Sequence, residues 1–226
     1  MKIPAGAGKE KEMEPQIIRL QLALIFQDII RNPNLFMEEL TSELDLFKDS
    51  NPNFIMHPST IPPVVPIGTL MGTNKMTSLS ATGERIDFIC YNVPNIDKNV
   101  KDVYDKNVPI IIDKVLSKKS IGRIGFISTI FREDKNPNNY IEKNYTNHSI
   151  IKDTTEIFVR YNNPYKYKNI LINKLTNIES PFKPFPDNDT IGWSITKDIN
   201  TSFRDDGLSK KFVLDLYSKI KDYLCS

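Results

Sequence analysis

Between residues 18 and 27, Ile18, Leu20, Leu22, Leu24 and Phe26 alternate with Arg19, Gln21, Ala23, Ile25 and Gln27. A period of two cannot be the stripe of an α-helix, so this segment reads as a long strand with one buried face. Asn32-Pro33 then supplies a helix cap and a first-turn proline. Leu35, Phe36, Leu40, Leu44 and Phe47 follow at helical spacing. A strand leading directly into an amphipathic helix near the N-terminus favours a mixed fold over an all-helical or all-β one.

The same periodicities divide the rest of the chain. Pro52, Pro58, Pro62, Pro63 and Pro66 mark a loop, and strand character returns at Ile67–Met71 and Met76–Leu79. Ala81-Thr82-Gly83-Glu84 reads as a hairpin turn with Gly83 at positive φ, and Ile86, Phe88 and Cys90 share one face of the return strand. Asn95 reads as the cap of a second helix over Ile96, Val100, Val103 and Tyr104, which Pro109 is expected to break or restart. Ile121–Arg132 is apolar on both faces and so belongs in the middle of the sheet. Strands are expected near Glu156–Tyr161, Lys168–Ile178 and Ile191–Ile199. A final helix capped by Ser209 carries a broad stripe from Phe212 through Leu216 and Ile220 to Leu224.

The element order is therefore β-α-β-β-α-β followed by β-β-β-α. It describes an α+β domain over residues 16–226, with a largely antiparallel sheet and its helices on one face, behind a disordered tail at 1–15. The first six elements have the order of a ferredoxin-like split βαβ unit. A helix-grip arrangement around the last helix is the alternative.

Composition narrows the function classes. Hydrophobic residues make up 39% and charged residues 26%, with a net charge of +2. This is a globular balance without the strong positive excess of a dedicated duplex-DNA binder. The Gly/Lys/Glu-rich N-terminus lacks the apolar core of a signal peptide, and no apolar run is long enough to cross a membrane. A cytoplasmic location is the expectation, and the sequons at Asn144, Asn147, Asn188 and Asn200 then reflect composition alone. Cys90 and Cys225 read as one core thiol and one near the terminus, without zinc-ligand spacing. No cofactor or metal motif is present.

Several residues carry possible chemistry. Gly122 and Gly125 begin a strand rather than a phosphate-binding helix, so they read as sites of close packing or a bulge. His57 and His148 lie in polar loops without a partner at catalytic spacing. The acids Glu133-Asp134, Asp187 with Asp189, and Asp205-Asp206 stand among turn formers, where Asp side chains mimic backbone hydrogen bonds. Trp193 shares a face with Ile191 and Ile195 and reads as a core anchor. The segment from Arg160 and Tyr161 through Tyr165, Lys166, Tyr167 and Lys168 reads as strand–turn–strand. Its mixed aromatics and cations are the working parts of a single-strand nucleic-acid platform, which Arg123, Arg132 and Lys183 would extend.

The order of four elements supports a resemblance: the long initial strand, the hairpin ending in Phe88-Ile89-Cys90-Tyr91, the strand start Gly122-Arg123-Ile124-Gly125-Phe126, and the late strand Trp193–Asn200 before a terminal helix. This layout resembles a sporadically distributed family of uncharacterised bacterial proteins in which an Arg-(Ile/Leu)-Gly-(Leu/Phe) strand follows the second helix. The family's strand continues into Tyr/Phe-Ile-Asn, whereas this chain has Ile127-Ser128-Thr129-Ile130. By association, the resemblance implies an accessory or host–phage conflict role and no known activity. The sequence thus points first to a non-enzymatic binding module acting with a protein partner or with single-stranded nucleic acid. A small-ligand helix-grip pocket and a metal-dependent nuclease are the alternatives.

Overall fold

The computed structural model describes residues 14–30, 32–50, 53–54, 68–93, 96, 98–145, 156–184 and 189–226. The expected cap Asn95, Ile67, His57, His148, Asp187, the five loop prolines, the sequons at Asn147 and Asn188 and most of the tail lie outside them. The elements are β1 (Gln16–Phe26), α1 (Pro33–Ser42), β2 (Asn53–Phe54), β3 (Gly68–Met71), β4 (Thr77–Ala81), β5 (Arg85–Tyr91) and α2 (Val100–Lys118). They continue with β6 (Ile121–Glu133), α3 (Pro137–Tyr145), β7 (Ile157–Asn162), β8 (Tyr165–Tyr167), β9 (Ile170–Phe182), β10 (Gly192–Thr201) and α4 (Lys210–Cys225).

The strands form one antiparallel sheet in the order β2-β3-β4-β5-β1-β6-β10-β9-β7, with β8 also paired to β9. Within it, β4-β5-β1-β6 has the strand arrangement of a ferredoxin-like unit, and β10, β9 and β7 extend the sheet from the β6 side. β6 pairs with β1 and β10, the interior place its two apolar faces require.

Register explains which face is buried. Leu20, Leu22 and Leu24 of β1 lie opposite Cys90, Phe88 and Ile86 of β5, and Leu22 and Leu24 lie opposite Phe126 and Ile124 of β6. α1, α2 and α4 cover this row. Phe36 meets Phe26 edge-on, Tyr104 stacks on Phe88, and Tyr217 stacks on Phe126. Each fully buried leucine of β1 contributes about 1.5–3 kcal/mol relative to exposure. The space between α4 and the sheet is filled by Phe212, Val213, Leu216 and Tyr217.

Four local expectations need correction. α2 runs through Pro109, because Val108, Ile111 and Ile112 are buried on both sides of it and packing outweighs the lost hydrogen bond. Its cap is Asn99, whose side chain accepts from the amide of Lys101. Gly83 is not at positive φ; the turn is closed by Thr82, whose hydroxyl accepts from the amide of Glu84. Asn136-Pro137, the turn formers that follow Glu133-Asp134 in the sequence, open the helix α3 instead, with Asp134 accepting from the amide of Asn136. α3 lies on the same face as the other helices and forms a second small core of Ile141, Ile157, Ile178 and Trp193. Trp193 stacks on Tyr140 with ring centroids 4.7 Å apart, so it is the expected core anchor.

Asn32 and Ser209 cap α1 and α4 as expected, each accepting from a backbone amide three residues on. At the other end of α4, Lys197 of β10 donates to the carbonyl of Tyr223, at 2.8 Å, and to that of Ser226. Burial holds this ammonium below the ordinary lysine pKa, while the helix's last carbonyls supply it with acceptors. Cys90 is buried and Cys225 partly buried, and both are free thiols.

Candidate interaction surface

Among the described residues every helix packs on one face of the sheet, so the opposite face shows what the strands themselves present. Polar side chains there are joined across strands. Gln21 donates to Asp87 at 2.6 Å, Arg85 pairs with the same carboxylate at 2.5 Å, and Arg19 donates to Gln21. Further along, Asn200 accepts from Arg123 at 2.8 Å and from Asn173 at 3.1 Å, and its own amide donates to Asp198 at 3.0 Å.

The Arg160–Lys168 segment departs from its expected shape. β7 and β8 do not pair with each other; both pair with β9, as one edge strand interrupted at Asn163-Pro164. The tight turn comes later. Lys168 and Asn169, at φ 47 and 63, form a two-residue link between the paired residues Tyr167 and Ile170, the left-handed geometry of a type I′ hairpin.

Alternation along β9 then separates the tyrosines from Arg160 and Lys166, while Lys168 stays beside Tyr167, its Nζ 5.4 Å from that ring's centroid. Tyr161, Tyr165 and Tyr167 lie opposite Thr176, Ile172 and Ile170, on the helix side. Tyr167 meets Phe212 of α4, with ring centroids 5.8 Å apart. Arg160 and Lys166 lie opposite Asn177 and Leu171, on the helix-free side with Arg123. Lys168 pairs with Asp215 of α4 and holds that exposed carboxyl below its ordinary pKa. Arg132 is on the helix side, its guanidinium 5.3 Å from the ring of Tyr140, and Lys183 is exposed beyond the end of β9. The nine residues therefore do not form one stacking platform.

Two of the remaining chemical candidates, Gly122 and Asp206, are tied into local structure. The side chain of Gly122's hypothetical alanine would lie 2.5 Å from the ring of Phe203, which confirms close packing there; at Gly125 the nearest atoms are 3.7 Å away. Arg204 pairs with Asp206 and lowers its pKa. Among the described residues no group of three or more His, Cys, Asp or Glu could hold a metal ion. No helix among them is long and apolar enough to cross a membrane.

Two features of this sheet were not foreseen. One is the exposed edge at β7, where Phe158 on the helix-free side is 64% exposed and Tyr161 on the helix side 43%. The amide of Asn163 donates to the carbonyl of Lys174. In an antiparallel ladder the alternate residues Arg160 and Phe158 then direct their amides and carbonyls away from β9. The other is a groove of about 570 Å³ on the helix-free face, lined in part by Arg19, Lys75, Tyr91, Thr129 and Phe182. Both depend on register, and neither leaves a local motif in the sequence.

No family model matches this chain, and no curated protein matches it significantly. The functional reading accordingly rests on the geometry of the sheet.

Proposed function

We propose that the chain is a non-enzymatic interaction module that accepts an extended segment of a partner protein as an additional strand along β7. The observation that carries this reading is the edge itself. Among the described residues β7 pairs on one side only, and it carries an exposed Phe158 beside outward-directed backbone groups. Edge strands are ordinarily blunted by proline, inward charge or a bulge, because an exposed apolar edge is a template for pairing. Within β7 there is no proline, and its register with β9 is unbroken from Ile157 to Asn162. Strand addition uses such an edge, taking affinity from main-chain hydrogen bonds and selectivity from alternate side chains. The modest net charge of +2 suits a protein ligand better than a polyanion.

Arg160→Pro tests the reading directly. It removes an amide directed away from β9, so the β7–β9 ladder survives while an incoming strand loses a donor. A photo-crosslinking phenylalanine analogue at position 158, used in cells, is expected to yield a discrete protein adduct that Arg160→Pro abolishes. A protein adduct that persists in Arg160→Pro would reject strand addition. Recovery of RNA or single-stranded DNA in place of protein would favour the nucleic-acid reading.

A further inference from the structure

We infer that the groove on the helix-free face, distinct from the β7 edge, is a binding site for a small organic anion with a flat apolar body. Its floor is a row across four adjacent strands. Tyr91 of β5 lies opposite Arg19 of β1, Arg19 opposite Thr129 of β6, and Thr129 opposite Thr196 of β10. The two threonine hydroxyls are 3.2 Å apart. Phenol, guanidinium and hydroxyls thus stand side by side on one surface, where register alone has assembled them.

A β-bulge shapes the site. The β1–β6 register shifts between Ile17 and Arg19, so Ile18 is the extra residue. In a regular strand consecutive side chains face opposite ways, yet Ile18 and Arg19 both line the groove. Ile17 packs against the main core instead, reversing the phase that the alternation beginning at Ile18 implies. Bulges re-aim side chains in this way beside functional sites. The walls are largely apolar: Met71 and Val93 on one side, Phe182 and Pro184 on the other.

Charge selects the ligand class. Among the described residues, Arg19 and Lys75 line the groove and no carboxylate does. Neither cation has an ion-pair partner among the described residues. Asp87, the nearest acid in the Arg19–Gln21 chain, is already paired with Arg85. The Nε of Arg19 is shut off from solvent and has no acceptor. Lys75 holds φ at 59 in the β3–β4 turn, a left-handed conformation that glycine or asparagine adopts with less strain. A strained lysine whose side chain reaches a groove with no acid among its described lining residues points to a role for its charge. The volume lies within the range of small-molecule sites. An anionic head on Arg19 and Lys75 and a planar body against Tyr91 and Phe182 would use both halves of the lining.

The probe is 1-anilinonaphthalene-8-sulfonate, with its uncharged analogue N-phenyl-1-naphthylamine as control, titrated by fluorescence at low salt. The sulfonate is expected to bind saturably at one site and at least tenfold more tightly than the analogue. Arg19→Gln and Lys75→Asn, the latter compatible with a left-handed φ, are each expected to erase most of that preference while leaving the melting transition in place. Equal affinity for the two probes, or a preference unchanged in both folded variants, would overturn the inference. Displacement by 1-naphthoate identifies a carboxylate ligand and displacement by adenosine 5′-monophosphate a phosphate ester; displacement by neither would also overturn it.

Discussion

Replacing Gly192 with alanine tests how closely β6 and β10 approach at the end of their ladder. A Cβ built at Gly192 lies 2.0 Å from the carbonyl oxygen of Arg132 and 2.7 Å from the ring of Phe131. The first distance is more than an ångström inside ordinary contact, and the obstructing atom is backbone in a strand held on both sides. Neither a rotamer change nor a small loop shift relieves it, so the cost belongs at the upper end of the overpacking range, about 3 kcal/mol. For a chain of this size that is a fall in Tm of about 6–12 °C. Gly125→Ala is the control on the same two strands. Its Cβ would meet Ala23 and Asn200 at 3.7 Å, an ordinary contact. Reduced freedom of the unfolded chain then stabilises the variant by about 0.4–1 kcal/mol. Thermal unfolding followed by circular dichroism, with matched urea titrations, measures both changes. The reasoning fails if Gly192→Ala melts within about 1 kcal/mol of the parent, or if the two variants lose stability equally.

Three further outcomes are expected. Leu216→Ala, at a fully buried position between α4 and the sheet, should cost about 2–5 kcal/mol in urea denaturation; a loss well under that range would show that α4 packs loosely. Ser209→Ala removes the acceptor for the amide of Phe212 and should cost about 1 kcal/mol, whereas an unchanged urea midpoint would deny the cap a role. The Tyr104 phenol is held well above its ordinary pKa by burial, and that of Tyr217 by burial and by its hydrogen bond to Asp105. Because their folded pKa values exceed the unfolded value of about 10, their contribution to stability is complete below that pH and is lost as pH rises beyond it. Absorbance at 295 nm should show these two phenols ionising only with unfolding, and ordinary titration of all nine tyrosines in the folded chain would contradict the packing.

The readable parts of this chain are those where one local period decides the outcome. β1, β6 and α4 announced themselves because their buried faces repeat with the period of their own backbone, and Ser209 and Asn32 mark helix starts by chemistry that acts within one turn. α3 did not, since Pro137-Asn138-Asn139 reads as turn chemistry and only Ile141 and Tyr140 anchor the helix to Trp193. The turn at Lys168-Asn169 leaves no signal because it reaches positive φ without glycine, while the more conspicuous Asn163-Pro164 only interrupts the edge strand. The groove is harder still to read. Arg19 looked like the solvent-facing partner of an apolar row, and nothing local to Tyr91, Thr129 or Lys75 says that they share a surface with it. Their meeting depends on long-range register and on the extra residue at Ile18.

The position of β6 also bears on the order in which the chain acquires structure. β4, β5, β1 and β6 lie within residues 16–133, so the ferredoxin-like half can complete its pairings before β10 leaves the ribosome. During that interval the far side of β6, apolar on both faces, is an unpaired edge of the kind that recruits neighbouring chains. Pulse-labelled hydrogen exchange during refolding should protect β1 and β5 before β9, and simultaneous protection of all three would exclude this sequence of events. What closes the vulnerable interval is β10, which covers the β6 edge, and α4, which follows it onto the same core. Burden during synthesis therefore falls on β6, a strand that in the finished sheet has no edge at all.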